Sequence, residues 1–319
     1  MNAAGAAALS FIAMFLLAAA TAKPPSGAER EKCENPTVAT PRTSCSTKNN
    51  RSLLDKWSVL QKRLSEQAAA YAPSSSHRPR ILLLGDSITE SYLGTSYGEP
   101  TERAVGVSDV LATFARDFSS PLIFGISADE TQHLLWRLRS GGELTAAMAT
   151  DSQMVASVLI GTNNLGNAQH KPDATAAGVV AVARELLSRM RGKVLINALL
   201  PRGEPPRMRK VPKMHATYKT HLPSIARINT IVNHTVLGEL AKEFAGRVRM
   251  VDCSAPFLTP EAEAVKPDAY EVRLELMPDA LHPNVAGQRL WAECMLAALR
   301  SWRREDKLST ALEHDGRDG

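Results

Sequence analysis

Five short apolar runs alternate with stretches of helical periodicity through most of this chain, and that alternation constrains the fold more than any other feature. The runs are Arg80-Ile81-Leu82-Leu83-Leu84, Leu122-Ile123-Phe124, residues 155–160, residues 194–199 and Val248-Arg249-Met250-Val251. Each is short and continuously hydrophobic, as a strand buried on both faces must be. Between them apolar residues recur at helical spacing. Leu134, Leu135 and Leu138 form one such stretch, and Val179, Val182, Leu186 and Met190 another. Residues 225–244 and 285–302 supply two more. Strand–helix alternation predicts an α/β fold, with a parallel sheet of about five strands covered by helices on both faces. Right-handed crossovers then bring every strand C-terminus to one edge, where open α/β sheets bind their ligands.

The ends read differently. An apolar run from Ala6 to Ala20 followed by Ala20-Thr21-Ala22 has the pattern of a secretory signal cut after Ala22. The run is shorter than the roughly 20 apolar residues of a spanning helix, although an uncleaved signal anchor is the alternative. Residues 23–51 are polar and rich in Pro, Ser and Thr, and are expected to form a loosely ordered arm. Leu53, Leu54, Trp57, Leu60 and Leu64 predict a helix over 52–71. One domain is expected over 52–302, with a flexible charged tail over 303–319. A secretory route also suits the four cysteines. Cys33 and Cys45 lie close enough to favour a small loop. Cys253 and Cys294 stay open, since buried cysteines also serve as small apolar residues.

A net charge of +5 is too mild to point to nucleic acid. The basic residues cluster in 202–219, where Arg202, Arg207, Arg209, Lys210, Lys213 and Lys219 face only Glu204. A solvated loop is the plain reading, and peripheral contact with an anionic membrane is the sharper one. No cysteine or histidine spacing matches a metal site, and no glycine loop matches a phosphate site, so neither metal nor cofactor is expected.

Three strings fall where the sheet-edge rule puts a site. Gly85-Asp86-Ser87 follows the first apolar run, Gly161-Thr162-Asn163 follows the third, and Asp279-Ala280-Leu281-His282 precedes the last helical stretch. Any one of them could be a turn or a helix cap. Together, and in this order, they supply a hydrolytic set. Ser87 brings a hydroxyl that needs a base to become nucleophilic. His282 is the candidate base, and Asp279, three residues earlier, can fix its tautomer. The Ser87 N–H and the Asn163 amide can donate to an oxyanion.

With these strings on the page, the chain resembles the SGNH (GDSL-type) hydrolase superfamily. The nearer resemblance is to the catalytic subunits of intracellular platelet-activating-factor acetylhydrolase. It rests also on Phe124-Gly125-Ile126, His133-Leu134-Leu135-Trp136-Arg137-Leu138, Gly161-Thr162-Asn163-Asn164 and Leu200-Pro201-Arg202-Gly203-Glu204, and spans about 80–302. The resemblance implies a flavodoxin-like, three-layer α/β/α sandwich. It makes Ser87, Asp279 and His282 a catalytic triad and Asn163 an oxyanion donor. It also implies a homodimer. A further donor in the family is the backbone N–H of a glycine that here is Ala128, in Ile126-Ser127-Ala128-Asp129. A Cβ there fits badly if φ is positive. The nucleophile elbow of lipase-type α/β hydrolases fits less well, since Thr89 occupies its second glycine.

The expectation is a secreted serine esterase that removes a short acyl group, most readily acetyl, from a lipid or carbohydrate ester. Ile88 and Leu281, flanking nucleophile and base, are expected to meet the acyl group. The alternative, suggested by Ala128, is a catalytically weak or inactive binding protein on the same fold.

Overall fold

The computed structural model describes residues 33–45, 51–73, 78–203, 221–259 and 272–315. The expected signal segment and most of the basic 202–219 stretch lie outside them.

All five apolar runs are strands: β1 (Arg80–Gly85), β2 (Ser119–Gly125), β3 (Val155–Leu159), β4 (Lys193–Asn197) and β5 (Val248–Val251). They form one sheet in the order β2-β1-β3-β4-β5, every neighbouring pair parallel. That order is the flavodoxin-like one, with its switch point between β1 and β3. Ile81, Leu82, Leu83 and Leu84 are buried without alternation, because helices cover both faces of the sheet.

The principal helices are α1 (Arg51–Ala69), α2 (Thr131–Arg139), α3 (Pro172–Arg189), α4 (Leu222–Thr235) and α5 (Val285–Asp315). α2, α3 and α4 pack in a row. α5 packs beside a 3-10 segment, Val107–Arg116, and faces the sheet through Trp291 and Met295. The Trp291 Nε1–H donates to Asn197 Oδ1 (3.2 Å), and Asn197 Nδ2 donates to Ser157 Oγ (2.8 Å). The Trp291 indole and the Asn197 amide, both buried under that helix, thus satisfy one another.

The last helix runs past the expected boundary at Trp302. Arg303 lies over the Phe118 ring, 4.5 Å from its centroid, and 3.9 Å from Asp117. The tail expected to be flexible from 303 therefore begins as a docked helix, because a cation and its methylene stem found an aromatic face to cover. Cys253 and Cys294 are joined in a disulfide, which ties the segment after β5 to α5. Cys33 is disulfide-bonded as well, while the Cys45 side chain lies outside the described set. Among the described residues no helix is long and apolar enough to cross a membrane.

The interior holds a charged cluster that the apolar pattern did not announce. Arg137, on α2, is fully buried, as are its partners Asp129 and Glu143. Its five N–H donors make five hydrogen bonds. Two go to the Glu143 carboxylate (2.9 and 2.7 Å) and one to Asp129 Oδ2 (2.9 Å). The other two reach Phe124 O (2.8 Å) and Gly85 O (3.3 Å), at the ends of β2 and β1. The guanidinium is thus fully satisfied. Arg137→Leu should cost about 3–5 kcal/mol, because it strands two buried carboxylates without their cation. Urea unfolding of the variant beside the wild type checks this.

Candidate active site

The strand ends prepare the site by being bare. Gly85 and Gly125 lie opposite each other in register at the ends of β1 and β2. A Cβ on Gly85 would fall 2.3 Å from Thr89 Oγ1 and 2.4 Å from Leu159 O, and one on Gly125 would fall 2.3 Å from Glu90 N. Without side chains there, the short helix Ser87–Glu90 can lie directly across the strand ends. Asp86 caps it, accepting the Ile88 N–H at 3.0 Å.

Ser87 and His282 are 195 residues apart, yet Ser87 Oγ lies 2.9 Å from His282 Nε2. His282 Nδ1 lies 2.6 Å from Asp279 Oδ2. Oδ1 of the same carboxylate accepts the backbone N–H groups of Leu281 (3.1 Å) and His282 (2.7 Å). One turn therefore carries both residues, as their spacing predicts. Burial acts to raise the Asp279 pKa. The His282 imidazole and the two N–H donors outweigh it and hold the group at about 2. A permanently ionised partner on Nδ1 leaves Nε2 as the nitrogen that faces the hydroxyl. The turn is closed from outside by Gly203, whose N–H donates to Ala280 O at 2.9 Å.

Asn163 sits at the start of a short helix, Thr162–Gly166, after β3. Its Nδ2 donates to Asp129 O at 2.9 Å. A carbonyl only accepts, so this contact identifies the amide nitrogen, and its second N–H remains for a ligand. The neighbouring Asn164 is structural. It accepts the Thr131 N–H (3.0 Å) and donates to Gln132 Oε1 (3.1 Å) at the head of α2.

The turn bearing Ala128 closes with Asp129 N–H donating to Ile126 O at 3.2 Å. Ala128 is its third residue, with φ +61°, and Ser127 before it has no positive φ. That is the type II pattern, in which the third position favours glycine. The alanine thus keeps the glycine-like conformation and is strained by about 1–2 kcal/mol.

Ile88 does not take the place expected of it. Its side chain is 2% exposed and belongs to the core cluster, so it contributes backbone. Its carbonyl accepts Gln288 Nε2 at 2.9 Å. Leu281 is half-buried beside the base and remains available to a ligand. His133, from one of the longer strings, accepts the Glu130 N–H on Nδ1 at 3.1 Å, and burial depresses its pKa far below the usual range. It is a neutral helix-capping residue.

Several site residues escaped the motif reading. Glu90 is fully buried. Its Oε2 accepts the Ser127 N–H (2.7 Å), while Oε1 accepts Gly98 N–H (2.7 Å) and Thr95 Oγ1–H (2.8 Å). Asp129 takes Trp57 Nε1–H (2.6 Å) on the oxygen that Arg137 leaves open. Arg202 donates to Thr162 O at 2.7 Å, tying the Asn163 segment to the residues after β4. The one available signal was a charged residue inside or just after each string, a position where burial forces it to find a partner. Among the described residues no group of His, Cys, Asp or Glu is arranged to hold a metal ion. A cavity of ≈ 600 Å³, lined by Pro201, Leu222, Ile225, Asn233, Met250 and Leu258 among others, lies beyond β4. None of Ser87, Asn163 and His282 lines it.

The model of the GDSL-like Lipase/Acylhydrolase family matches residues 83–290. The platelet-activating factor acetylhydrolase IB subunit alpha2 of Homo sapiens is 33% identical over 122 residues, covering 36% of this chain and 50% of that protein. Subunit alpha1 of Bos taurus is 35% identical over 95 residues, covering 28% and 38%. The chain thus spans about half the length of the curated relatives it matches. A crystal structure of a GDSL-like lipase from Bacteroides thetaiotaomicron shares the fold, with a TM-score of 0.51 at 18% identity over 77% of this chain and 98% of that one.

Two measurements test this geometry without any substrate. Ala128→Gly should raise the unfolding free energy by about 1 kcal/mol in a denaturant titration, by relieving the left-handed alanine. Asp86 offers the second. Its Oδ2 has no partner among the described residues. Burial first, and then the Asp129 charge, push its pKa up to about 7 against the Ile88 N–H and two arginines. A carboxyl raised on folding lends stability below its unfolded pKa of about 3.9 and loses it as pH rises through the folded value. Asp86→Asn keeps the cap without titrating. Its stability relative to wild type should therefore improve between pH 5 and pH 8, as read by urea unfolding at both.

Proposed function

This chain belongs to the GDSL-like lipase/acylhydrolase family, and from that premise we propose that it is a serine esterase acting through an acyl-enzyme. The observation that carries the reading is the hydrogen-bonded chain from Ser87 Oγ through both ring nitrogens of His282 to Asp279. The Ser87 oxygen attacks the ester carbonyl while its proton passes to His282 Nε2. The Asp279 carboxylate stabilises the imidazolium so formed. Negative charge on the carbonyl oxygen is met by the Ser87 and Ala128 N–H groups and the Asn163 amide. Collapse of this intermediate breaks the ester C–O bond, and His282 returns its proton to the departing alcohol. Water then attacks the acyl carbon, giving its proton to His282. The acid leaves, and Ser87 regains its hydrogen.

The acyl group we assign is short, most readily acetyl. Ser87 is only 5% exposed, and the half-buried Leu281 immediately precedes His282. The name shared by the relatives, platelet-activating factor acetylhydrolase, supports acetyl as well. The alcohol is a lipid or a carbohydrate hydroxyl. We place the enzyme on the secretory route. The apolar leader and the Cys253–Cys294 disulfide support this, since such bonds persist in oxidising compartments. The non-enzymatic reading drew on Ala128; that this residue keeps the glycine-like φ, although strained there, supports the enzymatic one.

Hydrolysis of p-nitrophenyl esters from acetate to octanoate, by the purified protein beside its Ser87→Ala variant, tests the proposal. Turnover should fall with chain length, and the variant should lose at least about 10³-fold in kcat while keeping its thermal midpoint. Equal turnover by both proteins would sink the assignment.

A further inference from the structure

The Ala128 N–H can face the site only while the Ser127–Ala128 peptide keeps one orientation. Types I and II of a β-turn differ mainly by a flip of that central peptide. Type I gives the third residue a negative φ, which alanine prefers, and turns its N–H to the opposite side. Glycine would hold the type II form without strain. Here something else must hold it.

The holding contact comes from outside the hydrolase motifs. Arg42, in a short turn of helix before α1, donates through Nη1 to Ser127 O at 2.9 Å and through Nη2 to the Tyr97 hydroxyl at 3.0 Å. The same Nη1 lies 3.9 Å from Asp129 Oδ1, and the side chain is only 17% exposed. The peptide is planar and trans, so the Ser127 oxygen and the Ala128 hydrogen point in opposite directions. Anchoring the oxygen to Arg42 therefore aims the hydrogen away from Arg42. Flipping the peptide would take the carbonyl from the guanidinium and bring an N–H against a cation instead.

The rest of the segment makes the anchor firm. Ser127 N–H is held by Glu90, and Ser127 Oγ meets Ser96 Oγ (3.0 Å) and Arg103 Nη2 (3.2 Å). The arm bearing Arg42 is docked on α2. Thr40 N–H donates to Gln132 O (3.1 Å), Thr131 Oγ1 to Pro36 O (3.0 Å), and Gln132 Nε2 to Cys33 O (3.0 Å).

We propose that Arg42 is a positioning residue, whose hydrogen bond to the Ser127 carbonyl holds the Ala128 N–H in the oxyanion site where other chains would rely on glycine. The catalytic consequence rests on the esterase reading above, while the structural one does not. It also assigns a task to the segment before the hydrolase domain: residues 33–45 complete the site from outside.

The test combines crystallography and kinetics on Arg42→Ala, Ala128→Gly and the double variant. In Arg42→Ala, Ala128 should revert to negative φ. Its kcat on p-nitrophenyl acetate should drop about 10²-fold, as for loss of one oxyanion donor, with KM nearly unchanged. In the Ala128→Gly background, removing Arg42 should cost less than about tenfold, because the two positions are coupled. Arg42→Lys should recover part of the rate. Should Arg42→Ala fold poorly, Arg42→Met keeps the buried stem without the donors and carries the same expectations. A positive φ at Ala128 in the variant lacking the guanidinium, or an equal loss of kcat in both backgrounds, overturns the proposal. If neither wild type nor Ser87→Ala turns over any ester, the esterase reading fails, and the φ of Ala128 still decides the role of Arg42.

Discussion

The buried guanidinium of Arg137 is the interaction on which the rest of this structure depends. A cation sealed from water is tolerable only when every donor is engaged and its charge is matched. Five hydrogen bonds and two carboxylates meet that demand. In meeting it they join four parts of the chain. The ends of β1 and β2 are bound through Gly85 O and Phe124 O, the Ala128 turn through Asp129, and the segment after α2 through Glu143. The helix Ser87–Glu90 rests on the first of these, and Asn163 reaches the third through Asp129 O. Ser87, Asn163 and the Ala128 turn are thereby referred to one rigid point.

Two of the five described non-glycine residues with positive φ lie in the turns of the candidate site. Ala128 and Ala280 have positive φ, at +61° and +59°, in the turn closed by Ile126 and Asp129 and in the turn that carries Asp279 and His282. Each conformation costs about 1–2 kcal/mol for an L-residue and persists only where its surroundings over-determine it. For Ala280 those surroundings are burial, the Gly203 N–H on its carbonyl and its own N–H on Met277 O (2.8 Å). For Ala128 they are Glu90, Arg103 and Arg42, acting through the residue before it. In the proposed mechanism, folding energy spent in this way fixes the donors before substrate arrives, which is what electrostatic preorganisation requires.

The N-terminal arm shows how an uninformative segment can matter. By composition it reads as a loosely ordered arm. Its described part instead crosses the head of α2 and places an arginine against the turn of Ser127 and Ala128. Nothing local to Arg42 marks it, because its partners Tyr97, Ser127 and Asp129 lie 55 or more residues away. The charged tail is a parallel case, where Arg303 found Asp117 and Phe118 across the molecule.

What the sequence alone determined is what local pattern encodes. Period and length of the apolar runs marked all five strands, and alternation with helical stretches set a parallel sheet and the edge at which a site must lie. Gly85-Asp86-Ser87, Gly161-Thr162-Asn163 and Asp279 with His282 were legible because their chemistry is carried in a few contiguous residues. Only the tertiary structure decided the rest. It sealed Ile88 into the core, paired Cys253 with Cys294, and made His133 a cap. It also showed that Ala128 keeps a glycine's backbone. These outcomes depend on pairings between residues tens to hundreds of positions apart. A buried polar group takes whichever partner the fold brings within about 3 Å, and only folding determines which one that is.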